Sequence, residues 1–113
     1  MKDERWVYRD QVQAVETSPG AVRRVLAYNQ DVMCVENTFA EGVVGALHSH
    51  PHTQISYIVS GEFEFTIDGE TRTVRAGDSM LKTDGVVHGC VCRKAGVILD
   101  IFTPGREDFV TDL

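Results

Sequence analysis

The chain has 113 residues, 42% of them apolar and 25% charged, with a net charge of −6. A chain of this length forms one domain that buries roughly two thirds of its unfolded surface, so a core needs no disulfide staples. The acidic balance argues against nucleic-acid phosphate as a partner, and no apolar run is long enough to span a membrane.

The charged start through Arg5 and Trp6 has no apolar stretch of the secretory kind behind it, so cytoplasmic residence is expected. Residues 1–15 read as an arm in which Trp6 and Tyr8 are candidates for packing on a partner subunit. Taken together, residues 1–20 are expected to be arm and edge strand, and residues 21–113 a barrel.

Turn signals then recur about every eight to twelve residues, the rhythm of a sandwich or barrel of short strands. They are Pro19-Gly20, Asn29-Gln30-Asp31, Glu41-Gly42, Ser60-Gly61, Asp68-Gly69, Ala76-Gly77-Asp78, Asp84-Gly85, Lys94-Ala95-Gly96 and Pro104-Gly105. Strands are predicted between them at 21–28, 32–39, 43–49, 54–59, 62–67, 71–75, 79–83, 87–92 and 97–103. In 62–67, Phe63, Phe65 and Ile67 alternate with Glu62, Glu64 and Thr66, so the glutamates read as a solvated face. Asp68-Gly69 predicts a hairpin, because a tight turn needs the positive φ that Asp and Gly tolerate.

No segment sustains a 3.6-residue apolar period, so no long helix is predicted, only a short helical or irregular end at 106–110. Short, numerous strands without a covering helix must bury their apolar faces against one another. An all-β jelly roll or small barrel follows.

Three cysteines, an odd number, argue against a disulfide framework. Cys90 and Cys92 are spaced for neither a CxxC redox pair nor a zinc knuckle, and their shared parity with His88 makes them small inward hydrophobes.

Three of the four histidines fall in one block, at positions 48, 50 and 52, and the fourth is His88. Imidazoles at i and i+2 share one face of an extended strand, so His48 and His50 can close on one metal ion, joined by Gln54 and by His88 from a distant strand. His52 keeps the parity, but Pro51 interrupts the strand before it, so it is expected at the rim.

Written with spacings, the two blocks are Gly42-x5-His48-x-His50-x3-Gln54-x6-Gly61 and Gly77-x5-Thr83-x-Gly85-x2-His88-x3-Cys92. These resemble the two motifs of the cupin family, with Gln54, Thr83 and Cys92 where that family usually has Glu, Pro and Asn. A narrower resemblance lies in His48-Ser-His-Pro-His-Thr-Gln-Ile55, the hairpin that follows Gly61, and the ending Leu99-Asp-Ile-Phe-Thr-Pro-Gly-Arg-Glu-Asp-Phe109. It is similar to the KdgF proteins of pectin and alginate breakdown over about Val25 to Phe109.

The resemblance implies a cupin double-stranded β-helix, or jelly-roll barrel, in a single small domain. It further implies one divalent transition metal ion on His48, His50, Gln54 and His88, which as three imidazoles and an amide suit nickel, zinc, iron, cobalt or manganese. The implied activity opens the ring of 4,5-unsaturated monouronates to linear 5-keto-4-deoxyuronate. Asp100, Phe102 and Arg106 then take the catalytic and substrate-contact positions.

Residue chemistry points the same way. In 97–103 both faces are apolar except for Asp100, and a lone carboxylate in a buried strand is costly unless it is paired or used. Asp100 is expected to shuttle a proton, Arg106 to grip a small acidic sugar by its carboxylate, and Phe102 to wall the sugar face. Gln54 in place of a carboxylate leaves the dication's charge undiminished. Competing readings are another metal-dependent cupin enzyme, such as a ferrous dioxygenase, and a non-catalytic sugar-binding module. The latter class often accompanies a DNA-binding helix pair or basic patch, which this sequence lacks. A homodimer is expected, since small jelly rolls with an arm pair their edge strands.

Overall fold

The computed structural model describes residues 4–111. After a 3₁₀ turn at Arg9–Gln11 come eight strands: β1 Val15–Ser18, β2 Ala21–Tyr28, β3 Met33–Phe39, β4 Val44–His48, β5 Thr53–Ile67, β6 Glu70–Arg75, β7 Ser79–Lys82 and β8 His88–Thr103. A five-residue helix, α1, follows at Glu107–Thr111. Among the described residues no helix is long and apolar enough to cross a membrane.

All pairings are antiparallel, and β5 and β8 pair along nearly their whole lengths, from Thr53↔Thr103 to Ile67↔His88. Each of these strands serves two layers. The first half of β5 and the second half of β8 sit between β7 and the series β3, β2, β1, while their other halves sit between β6 and β4. The sheet thus folds over on itself, and the two layers bury one another's inner faces. The main core is Ile58, Phe63, Phe65, Cys90, Cys92 and Ile98. A second cluster of Val25, Met33, Val35 and Phe102 carries Phe109 and Val110 of α1.

Two of the turn signals prove to be bends. The runs 54–59 and 62–67 are one strand, as are 87–92 and 97–103, because Ser60-Gly61 and Lys94-Ala95-Gly96 lie opposite each other and deflect the chain without reversing it. Gly61 has φ +85°, and a Cβ on it would lie 2.7 Å from the Gly96 Cα. The two glycines let the long strands cross at contact distance. Register shifts around Ser60 and Glu62 insert an extra residue, so the inward set of β5 changes from Gln54, Ser56 and Ile58 to Phe63 and Phe65. In β8 the inward set keeps even numbering throughout: His88, Cys90, Cys92, Ile98, Asp100 and Phe102. Val97, Leu99 and Ile101 on its other face are half-buried rather than enclosed.

The Asp68-Gly69 hairpin forms as expected, with φ +50° and +79° at its two residues. Part of the expected arm is ordered as an edge strand, β1, against β2. Trp6 and Tyr8 stand 79% and 63% exposed.

Candidate metal centre and active site

His48 ends β4 and His88 begins β8, and the two are direct register partners. His50 lies beyond the end of β4, where the chain turns through Pro51 before β5 starts. Their ring centroids lie 4.4 Å apart for His48 and His88, 4.9 Å for His50 and His88, and 5.8 Å for His48 and His50. One nitrogen from each ring falls within 4.8 Å of the others, a grouping able to hold a metal ion.

Each ring is oriented by its other nitrogen. Nδ1 of His48 lies 2.8 Å from the Ala46 carbonyl oxygen, that of His50 3.2 Å from His52, and that of His88 3.1 Å from Val86. A carbonyl oxygen only accepts, so each Nδ1 carries the proton and each Nε2 presents a lone pair. The His88 Nε2 is buried and, among the described residues, has no hydrogen-bond partner. Burial, aided by the Lys82 charge, pushes His88 down to about 4, and burial likewise lowers His50. Neutral imidazole is the ligating form.

Gln54 lies beside the three histidines. Its Nε2 donates to Asp100 Oδ1 at 2.8 Å and to Ser56 Oγ at 3.2 Å, which turns Oε1 toward His50 Nε2, 2.8 Å away. Two lone pairs face each other there, an arrangement that a shared cation resolves. The donor set therefore fits a divalent metal ion.

Asp100, buried in β8, receives hydrogen bonds on both oxygens. Oδ1 accepts from Gln54 and in a short bond from the Ser56 hydroxyl, and Oδ2 accepts from Asn37 Nδ2 at 2.7 Å. Every partner is a donor, which the carboxylate form satisfies. Lys82, only 2% exposed, donates from Nζ to Ser56 Oγ at 2.7 Å and sits 4.4 Å from the Phe65 ring centroid. Burial lowers its affinity for a proton.

Phe102 lies under this cluster, its ring 5.6 Å from His50 and 5.6 Å from Phe109 in edge-on contacts. Arg106 packs on both aromatic rings, 5.1 Å from Phe102 and 4.2 Å from Phe109. Its Nε and Nη2 grip Asp108 at 3.0 and 2.8 Å, so the edge expected to take a substrate carboxylate is occupied by a carboxylate of α1. Arg23, nearly buried, faces Phe109 at 4.0 Å. A cavity of about 480 Å³ joins these groups, lined by His48, Gln54, Lys82, His88, Asp100 and Arg106 among others.

The structure thus brings together all seven residues singled out in the sequence: the three histidines, Gln54, Asp100, Phe102 and Arg106. His52 stays at the edge of the histidine group, contributing its carbonyl to His50 and its ring to a 6.3 Å contact with Phe102. Cys90 and Cys92 point inward as expected; burial raises the Cys90 thiol to about 11, and neither joins the metal-ligating group. Sequence reasoning missed Asn37, Ser56, Lys82, Arg23 and Phe109. Ser56 had a readable signal, since it shares the face of Gln54 and Ile58.

Residues 35–102 match the family model described as Cupin domain, well over half of the chain. The chain is also 35% identical over 108 residues to the pectin degradation protein KdgF of Dickeya dadantii (strain 3937), covering 94% of this chain and 98% of that one. This chain is a cupin of the KdgF family. Two solved structures share its cupin fold closely. An RmlC-like cupin from Shewanella frigidimarina NCIMB 400 superposes with a TM-score of 0.90 at 38% identity, covering 94% of this chain and 96% of the other. The KdgF of Halomonas sp. gives 0.89 at 31%, covering 94% and 98%.

Proposed function

We propose that this cupin opens the ring of 4,5-unsaturated monouronates, small acidic sugars released from pectin or alginate, to linear 5-keto-4-deoxyuronate. The observation that carries the reading is a buried carboxylate, Asp100, bonded to the amide that faces the three-histidine cluster. Membership of the KdgF family, with a relative named for pectin degradation, supports the same reading.

His48, His50, His88 and Gln54 would hold one divalent transition metal ion (nickel, zinc, iron, cobalt or manganese). When bound, that ion supplies Lewis acidity for oxygens of the sugar acid. Asp100 takes the proton of the anomeric hydroxyl as general base. The C1 carbonyl forms, the bond from C1 to the ring oxygen breaks, and its electron pair passes to the former ring oxygen as an enolate. The proton then goes from Asp100 to C4. Atoms balance without a co-reactant, so the enzyme is an isomerase.

Phe102 walls the sugar, and Arg106, which also lines the cavity, attracts its carboxylate in competition with Asp108. The site is assigned to a cytoplasmic homodimer. An apolar strip of Ile55, Tyr57 and Val59 on β5 with Leu81 on β7, all more than 40% exposed, offers a face for a second copy.

The test is direct. Metal-loaded protein added to an exhaustive pectin or alginate lyase digest accelerates loss of the ultraviolet absorbance of the conjugated enol acid. Loss at the buffer rate sinks the assignment. Oxygen uptake by the iron-loaded protein would favour the dioxygenase reading instead.

A further inference from the structure

Lys82 is a buried cation with no part in the scheme above. A lysine almost wholly removed from water must be compensated, and here the nearby charge is Asp100, reached through one serine. The register explains why they meet. Ser56 of β5 stands directly across from Asp100 of β8, and Gln54, two residues before Ser56, stands across from Lys82 of β7. Inward side chains of three neighbouring strands therefore converge on one hydroxyl.

The hydrogen-bond directions around that hydroxyl are forced. Lys82 Nζ and Gln54 Nε2 can only donate, so both Ser56 Oγ contacts from them use its lone pairs. The hydroxyl proton is left for Asp100 Oδ1. That oxygen then holds two donors, Ser56 and Gln54, while among the described residues Oδ2 holds Asn37 alone. A carboxylate oxygen with two donors has little acceptor capacity left, and the other has a lone pair to spare.

We propose that Lys82 is a positioning residue for Asp100: acting through Ser56, it locks Oδ1 in place and leaves Oδ2 as the oxygen that takes the substrate's proton. The inference rests on the ring-opening function proposed above. Without the ammonium, the serine hydroxyl can swing toward other acceptors, and the carboxylate can rotate about its own bond. Binding of the sugar, which depends on groups elsewhere in the cavity, is left alone. The signature is therefore a fall in kcat with KM unchanged.

The experiment compares wild type, Lys82→Met, Ser56→Ala and the double variant, each with metal content measured per folded chain. Each single variant is expected to lose about tenfold or more in kcat, with KM within about twofold and full metal content. The double variant should lose no more than the worse single one, because both break the same path. A kcat within about twofold of wild type for Lys82→Met overturns the proposal, as do losses that multiply in the double variant. A lysine serving only the fold would lower thermal stability and leave kcat per folded molecule unchanged, which also overturns it. If Lys82→Met does not fold, Ser56→Ala decides: an undiminished kcat overturns the proposal, and the same kcat-only loss supports it. An inactive wild type would sink the ring-opening function itself, a separate outcome from any difference between variants.

Discussion

The amide at position 54, where cupins usually place a carboxylate, is explained by what lies behind it. Gln54→Glu would replace the Nε2 donor with an oxygen 2.8 Å from Asp100 Oδ1 and 3.2 Å from Ser56 Oγ. Two unit charges at that separation repel by about 6 kcal/mol at an effective dielectric near 20. Keeping one glutamate carboxyl protonated at pH 7 costs about 4 kcal/mol against its usual value near 4.3. The second figure is smaller, so the pair takes up one proton at neutral pH. The folded variant then binds more protons than the unfolded chain, and its stability falls as pH rises. Metal-free Gln54→Glu is expected to be about 2 to 4 kcal/mol less stable than wild type at pH 7, with the gap narrowing toward pH 5. Its kcat at pH 7 should drop about a hundredfold, since Asp100, the proposed general base, shares its charge. Urea melts at the two pH values and steady-state rates on metal-loaded protein measure both effects. Wild-type stability at pH 7 together with wild-type kcat would refute the reasoning.

Asp100→Asn is expected to lose about a hundredfold or more in kcat. It should keep its metal, because the asparagine oxygen still accepts from Gln54 and Ser56. Metal analysis beside the rate assay checks this, and joint loss of metal and activity would make Asp100 an anchor for Gln54 rather than the base. Metal-free protein should weaken in acid. The His88 imidazole protonates near 6.5 when unfolded and near 4 when folded, so its contribution is complete above pH 6.5 and up to about 3 kcal/mol disappears as pH falls toward 4. His50 and His52 shift in the same direction, and a flat urea-melt profile from pH 7 to 4 would contradict the burial argument. Gly96→Ala should cost about 2 to 4 kcal/mol in denaturant midpoints, because its Cβ runs into the Ser60 carbonyl. Gly77→Ala meets no atom within 4 Å and should cost only the left-handed backbone penalty of about 1 kcal/mol; equal losses would remove the crossing argument.

Much of the molecule was open to a reader of the chain alone, and for a definite reason. Strand alternation repeats every two residues and tight turns depend on two or three adjacent ones, so β2, β6 and the Asp68-Gly69 hairpin could be placed from local pattern. The spacing of His48, His50, Gln54 and His88 was readable as well, through its likeness to a known pattern of ligands. Glycine misled at Ser60-Gly61 and Lys94-Ala95-Gly96 because the same residue that permits reversal also permits close crossing. Only a partner strand reveals which of the two it does.

The surroundings of Asp100 were decided by tertiary structure. Asn37, Ser56 and Lys82 lie on β3, β5 and β7, and each reaches the carboxylate or its serine only through the register of its strand against β8 or β5. Register is set by the packing of two layers across the whole sheet, with a bulge near Ser60 that shifts one strand's parity. No local window contains that information. The candidate ligands could therefore be named from the chain, while the hydrogen bonds around them, including the ammonium behind the serine, required the fold.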